Sequence, residues 1–341
     1  MAVVKPFRAL RYDEAAAGPL ESLVAPPYDV ISPDQRTELL ARSPHNVVRL
    51  TLPDVEEQAA RDLEEWRARG VLVEEPPAVW ALRQDYVGPD GVARSRFGIA
   101  ASLKVEPYET GTVLPHERTH AGPKEGRLRL LRATRVQLEP IFLLYDGPAP
   151  LAQPDREPDL EVEGAKLWRI DDPAIVRAFD DTQLLIADGH HRYETAVAFA
   201  EEEGTPASAQ MLVVLVSTGD PGLEIFPTHR VFAEPRRLEG SPDGGRSVTE
   251  ITREGTRTVR VPEGMLDVQL VDTLGHEGIS YTADADEAER RIRDGEAAVA
   301  YVLRPTRIED VFAYARRGEV LPQKTTYFFP KLISGLLFHP L

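Results

Sequence analysis

The sequence predicts an α+β fold, a mixed α/β chain built from many short elements. Three observations carry this. The 29 prolines are scattered between periodic segments, which suits short elements joined by rigid turns and argues against long helical bundles. A pair of β-rich runs flanks a Gly-Pro-Asp-Gly turn at residues 88–91. A short apolar strand at 183–187 runs through a glycine straight into a helix.

Along the chain, Ser32-Pro33-Asp34-Gln35 is a helix start: Ser32 caps, Pro33 takes the first helical position and Gln35 completes a capping box. That helix is expected to run to about residue 42. Residues 46–52 read as a strand. Residues 54–69 read as an amphipathic helix with Ala59, Leu63 and Trp66 on one face and Gly70 as its stop. Residues 78–87 and 94–105 form the expected hairpin, and 139–145 a short apolar strand. The Pro- and acid-rich stretch 147–164 reads as a linker. After the 183–187 strand come a helix at 193–203, a buried strand at 211–217 and a further strand at 225–232. Residues 284–293 read as a charged helix and 299–304 as a strand. The apolar terminus, 327–341, is expected to pack on the body of the protein. This divides the chain into an N-terminal α+β region (1–146), a strand–loop–helix core (165–240) and a C-terminal α+β region (241–341) packing back on the core.

Composition narrows the function. Forty basic against 56 acidic residues give a net charge of −16. Nucleic acid is therefore not an expected partner, because coating a phosphate backbone needs clustered Lys and Arg. With no cysteine in the chain, disulfides, thiolate catalysis and Cys-based zinc sites are excluded. No apolar run approaches membrane-spanning length and the first residues lack a signal core, so no membrane role and a cytoplasmic location are expected.

The main chemistry-bearing segment is Asp188-Gly189-His190-His191-Arg192. A strand ends, Gly189 permits a tight turn, and a helix begins whose first N–H groups have no intrahelical partner. Such a corner is a natural anion site. Arg192 can grip phosphate oxygens in pairs, and Asp188 can cap the helix, orient a histidine or help hold Mg²⁺. The alternative is a capped helix carrying structural histidines.

The second segment is Pro115-His116-Glu117-Arg118-Thr119-His120, followed by Lys124 and Arg127. It contains His-Glu-x-x-His, which binds zinc only on a helix. Pro115 and Gly122-Pro123 crowd it on both sides, so a loop is expected. There Glu117 or His116 can act as a general base, and Lys124 and Arg127 can neutralise phosphate charge. A solvated charged loop is the alternative. Weaker candidates are Tyr28 and Asp29, in the rigid Pro26-Pro27 loop, and Arg49 in the expected 46–52 strand.

These segments carry a resemblance. Lys5-Pro6-Phe7-Arg8, Pro26-Pro27-Tyr28-Asp29, Asn46-Val47-Val48-Arg49-Leu50, His116-Glu117-x-Thr119, Pro123-Lys124 and Arg127-Leu128 resemble domain-of-unknown-function family 1015 (DUF1015). So do residues 186–196 and the terminal Pro322-Gln323-Lys324-Thr325-Thr326-Tyr327-Phe328-Phe329-Pro330-Lys331-Leu332. His120 is not part of that pattern. More distantly, the Asp-Gly-His-His-Arg box resembles that of free-serine kinases in the ParB/sulfiredoxin-like superfamily. This resemblance implies a ParB/sulfiredoxin-like nucleotide-binding core with an additional mixed-sheet α+β domain. It also implies phosphate or metal roles for Asp188, Gly189, His190, His191 and Arg192, with Asp188 on Mg²⁺, and an upstream glutamate base for which Glu117 is the candidate. The expected function is a small-molecule phosphotransferase, a kinase of free serine or a similar hydroxyl metabolite using ATP or ADP. The partners are then a nucleotide and a small substrate, with a homodimer among the assemblies left open. A non-catalytic nucleotide-binding switch is the second reading, and a metal-dependent hydrolase the third.

Overall fold

The computed structural model describes residues 1–117, 121–241 and 243–341. The fold is mixed α/β around two sheets. Nine strands form the larger sheet. Its spine runs Val113–Leu114, Leu184–Asp188, Ile141–Tyr145, Gln210–Ser217, Ala93–Lys104, Val79–Val87, Ala165–Ile170 and Leu160–Val162, with Val4–Lys5 also pairing on Ala93–Lys104. Two pairings are parallel, Leu184–Asp188 on Val113–Leu114 and Gln210–Ser217 on Ile141–Tyr145; the others are antiparallel. The smaller sheet is antiparallel, in the order Gly255–Val261, Arg246–Thr252, Val299–Val302, His229–Phe232 and Ile279–Thr282.

Strands on both sides of 147–164 share the larger sheet, and the smaller sheet begins at His229, before residue 241. Backbone pairing needs a strand edge rather than sequence neighbourhood, so the Ala165–Ile170 strand returns onto Val79–Val87 and makes one layer of both regions.

The central strands are buried on both faces. In Leu184–Asp188, Leu184 and Ile186 face one apolar core while Leu185 and Ala187 face the other. Period-two alternation gives such a strand a near-continuous apolar sequence. Each fully buried aliphatic side chain contributes roughly 1.5–3 kcal/mol. The helices Ala121–Thr134 and His190–Glu203 pack through Leu128, Leu131 and Phe199. Salt bridges Arg132–Glu202 (2.6 Å) and Arg135–Glu203 (2.6 Å) line their exposed side.

Several expected elements are present. The helix Pro33–Arg42 starts on a full capping box, with the Gln35 N–H donating to Ser32 Oγ at 3.2 Å and the Ser32 N–H to Gln35 Oε1 at 2.9 Å. Glu56–Ala68 buries Ala59, Leu63 and Trp66. The apolar terminus packs inward through Leu332, Leu336, Leu337 and Phe338. Among the described residues no helix is long and apolar enough to cross a membrane.

Three expectations fail locally. Residues 46–52 are not a strand but a short helix, Val48–Thr51. The Asn46 side chain accepts from the Val48 N–H at 3.0 Å and donates to the carbonyls of Ser22 (2.8 Å) and Val24 (3.2 Å). Val47, Val48 and Leu50 are all fully buried, so tertiary packing overrides β-propensity. Lys124 and Arg127 lie on the helix Ala121–Thr134 rather than in a loop. Pro123 falls in its first turn, where a missing N–H costs nothing. Residues 225–232 form two strands, Glu224–Phe226 and His229–Phe232, in different sheets, because Pro227 has no N–H to continue a ladder.

Candidate functional site

The Leu184–Asp188 strand ends at Gly189, whose φ of 102° is left-handed, and the helix His190–Glu203 begins at the next residue. A Cβ at Gly189 would lie 2.5 Å from Ile141 Cγ2, so both backbone angle and space require glycine here. The turn leaves Asp188 and the first helical turn at one edge of a cleft. No acidic residue lies in that first turn.

Asp188 is the hub of the charges. Its Oδ2 accepts from Arg192 Nη2 at 2.6 Å, and its Oδ1 accepts from the Lys331 ammonium. Burial by itself would raise the Asp188 carboxyl; the Lys331 and Arg192 charges outweigh it and hold the group below its ordinary value. Burial likewise opposes the Lys331 charge, but Asp188 and Asp29 overcome it and raise the ammonium's pKa. Arg192 is turned inward: its side chain is 10% exposed, and Nη1 donates to the Pro140 carbonyl.

Beneath this hub lies a neutral histidine pair. His116 Nδ1 is 2.7 Å from the Ile186 carbonyl and Nε2 is 2.9 Å from Thr326 Oγ1. A carbonyl only accepts, so hydrogen bonding assigns the proton to Nδ1 and leaves Nε2 to accept from the threonine hydroxyl. The His116 N–H donates to His190 Nε2 at 3.3 Å, and the rings meet edge to face at 4.7 Å. Burial lowers both pKa values, that of His190 well below the usual one, with His116 lowering it further.

The C-terminal segment also lines the cleft. Glu117 Oε1 accepts from the Lys324 N–H at 2.8 Å, and Lys324 itself has a left-handed φ of 58°. Two buried guanidiniums hold the ends of this segment. Arg230 donates to the carbonyls of Lys324 (3.0 Å) and Gln323 (3.1 Å). Arg96 donates to those of Phe329 (3.3 Å) and Pro330 (2.6 Å) while its guanidinium lies over the Phe142 ring. Between them, Tyr327–Phe329 pairs with Glu224–Phe226. This delivers Lys331 to Asp188 and to Asp29, whose Oδ2 lies 3.1 Å from Nζ.

The Tyr28–Asp29 loop is fixed from behind. Buried Glu139 accepts from the Tyr28 N–H at 3.1 Å and from the Ser334 hydroxyl at 2.7 Å. The Arg127 guanidinium lies 4.1 Å from the centre of the Tyr28 ring and donates to the Thr51 carbonyl at 2.7 Å.

The result is one cleft of about 530 Å³, within the roughly 300–1,000 Å³ of small-molecule sites. Of the residues singled out in the sequence, Tyr28, Asp29, Glu117, Asp188, Gly189, His190, His191 and Arg192 line it. Four do not. His116 sits below the floor with both ring nitrogens engaged. Lys124 pairs with Glu194 Oε2 at 2.5 Å. Arg127 backs Tyr28, and Arg49 is on the Val48–Thr51 helix with Nε buried and not hydrogen-bonded. His120, needed for the zinc pattern, lies outside the described residues, among which no group of three His, Asp or Glu is arranged to hold a metal.

Sequence reasoning missed Lys331, Lys324 and Thr326, and missed Tyr281 from the smaller sheet. One signal was present: Lys331 is the one cation between Thr325 and the C-terminus, in an apolar run that has to be buried.

No curated protein sequence matches this chain. Several solved structures share a limited likeness. A free serine kinase in complex with AMP is 14% identical, covering 66% of this chain and 89% of its own, with a TM-score of 0.40. C-terminally truncated SbnI from Staphylococcus aureus is 13% identical, covering 68% and 85%, at 0.41. A conserved hypothetical protein from Pyrococcus furiosus is 16% identical, covering 66% and 92%, at 0.38. Likeness at this level locates neither a ligand nor an activity. The sequence itself is more telling: residues 4–242, well over half of the chain, match the family model described as protein of unknown function (DUF1015), and the chain belongs to that family.

Proposed function

We propose that the protein is a small-molecule phosphotransferase that moves phosphate from ATP or ADP to the hydroxyl of free serine or a similar metabolite, on a ParB/sulfiredoxin-like core. The observation that carries this reading is the convergence of Glu117 with the Asp188–Arg192 corner in one cleft, although 71 positions separate Glu117 from Asp188. Phosphoryl transfer asks a protein for positioning, positive charge around the transferring group and a base near the acceptor. The helix end at Gly189, with Lys331 and Lys324, supplies the positive side. Glu117, oriented by the Lys324 N–H, takes the acceptor's hydroxyl proton. The acceptor oxygen then attacks the terminal phosphorus, and the shortened nucleotide leaves with the electron pair of the broken P–O bond. Tyr28 and Asp29 border the acceptor, and His191 borders the phosphates. Lys124 and Arg127 act as struts.

Mg²⁺ is the expected companion of the nucleotide, but Asp188 does not fit it as a ligand. One carboxylate oxygen is taken by Arg192 and the other by Lys331.

The test is to incubate protein with ATP or ADP, Mg²⁺ and serine and to look for phosphoserine by mass spectrometry. Product that disappears with Glu117→Gln supports the reading; no product with either nucleotide removes serine as the acceptor. A nucleotide-binding switch is the second reading, favoured by the pairing of Arg192 and Lys331 with carboxylates already in place. Calorimetric binding of nucleotide without any transfer or hydrolysis selects it.

A further inference from the structure

We infer that Lys331, and not Arg192, is the cation that binds the ligand's phosphate, and that Asp29 and Asp188 hold its ammonium at the cleft wall. This rests on reading the cleft as a phosphate site; whether the phosphate is then transferred is separate. Arg192 has the residue type for the task but the wrong posture. Its side chain is 10% exposed, and both terminal nitrogens are turned to protein acceptors, one to the Pro140 carbonyl and the other to Asp188 Oδ2. It ties the first helical turn to the end of the Ile141–Tyr145 strand and so behaves as a strut.

Lys331 is the more open of the two cations. Both line the cleft, but the Lys331 side chain is 22% exposed against 10% for Arg192. An ammonium has three donors. Asp29 Oδ2 and Asp188 Oδ1 each take one, which leaves a third for a ligand oxygen. The two carboxylates keep the lysine charged despite its burial, as its raised pKa also indicates. The geometry is set from a distance: Arg96 grips the carbonyls of Phe329 and Pro330, the two residues before Lys331, with its own side chain 1% exposed. Spending a buried arginine on two backbone carbonyls fixes where the following lysine emerges. Lys331 also shares the cleft lining with Lys324, Thr326 and the helix end at Gly189.

The test is isothermal titration calorimetry of the full chain with pyrophosphate and with ATP, beside thermal melts. Lys331→Met is expected to weaken pyrophosphate binding about tenfold or more, the scale of one charge-assisted hydrogen bond. Lys331→Arg is expected to restore much of it, and Arg192→Lys to lower the melting temperature while leaving affinity nearly unchanged. If Lys331→Met fails to fold, Asp29→Asn/Lys331→Met carries the test, since Asp188 then keeps Arg192 as its partner. Wild-type affinity in the Lys331→Met protein, an equal loss in Arg192→Lys, or no pyrophosphate binding by wild type would each overturn the assignment. Lys331-dependent binding of pyrophosphate without binding of ATP leaves the assignment standing and removes the nucleotide reading instead.

Discussion

The Lys331 ammonium sits on the carboxylate of Asp188, a residue 143 positions earlier in the chain, and reaches Asp29 at 3.1 Å on its other side. One lysine thereby joins the strand–glycine–helix corner, the N-terminal loop and the C-terminal tail.

Neutralising Asp188 should therefore loosen three segments at once. Asp188→Asn leaves Arg192 and Lys331, 10% and 22% exposed, without their shared counter-charge. Breaking a buried pair by removing one partner costs about 3–5 kcal/mol. Urea denaturation should show a loss of that order, and Asp188→Asn/Lys331→Met should lose less than the two single variants added together. Strict additivity would show that the contact carries no coupling.

Gly189→Ala is expected to destabilise by more than the about 1–3 kcal/mol of a strained backbone, because Ile141 must also move. The denaturant midpoint measures it. A change within experimental error would mean that the left-handed turn is not needed.

Acid should destabilise the protein well above the carboxylate range. Unfolded histidine titrates near about 6.5. In the fold, burial lowers His116 and His190 and pushes both His229 and His339 down to about 4. The native state then binds fewer protons than the unfolded chain between those values. This stability is full above pH about 6.5 and is lost as pH falls toward 4, by up to about 1.4 kcal/mol per pH unit for each histidine. Urea midpoints between pH 7.5 and 4.5 should fall accordingly, and less steeply in His339→Gln, which removes the ring bonded to Ser102. A pH-independent midpoint would contradict the buried neutral histidines.

Glu117→Gln keeps an oxygen for the Lys324 N–H but cannot take a proton. If Glu117 is the base, phosphoryl transfer should fall about a hundredfold or more while nucleotide affinity holds. Equal losses of kcat and affinity would make Glu117 a structural acceptor instead.

Much of this was legible in the chain. The capping box at Ser32 and Gln35 and the glycine corner at 189 are local: their hydrogen bonds and backbone angles close within a few residues. The 46–52 segment was not, because its helix is held by Asn46 bonding to Ser22 and Val24 in a different turn of the chain. The roles of His116, Lys124 and Arg127 were not legible either, since each is decided by a partner far away in sequence: Thr326, Glu194 and Tyr28.

By itself, the sequence determined the strand–glycine–helix corner, the residue types on it and the burial of an apolar tail, since steric limits and hydrophobicity act on neighbours. Only the tertiary structure decided that the tail returns a lysine to that corner and turns Arg192 inward. Charges separated by 143 positions meet only when strand pairing and the grip of Arg96 on Phe329 and Pro330 have fixed where the chain comes back.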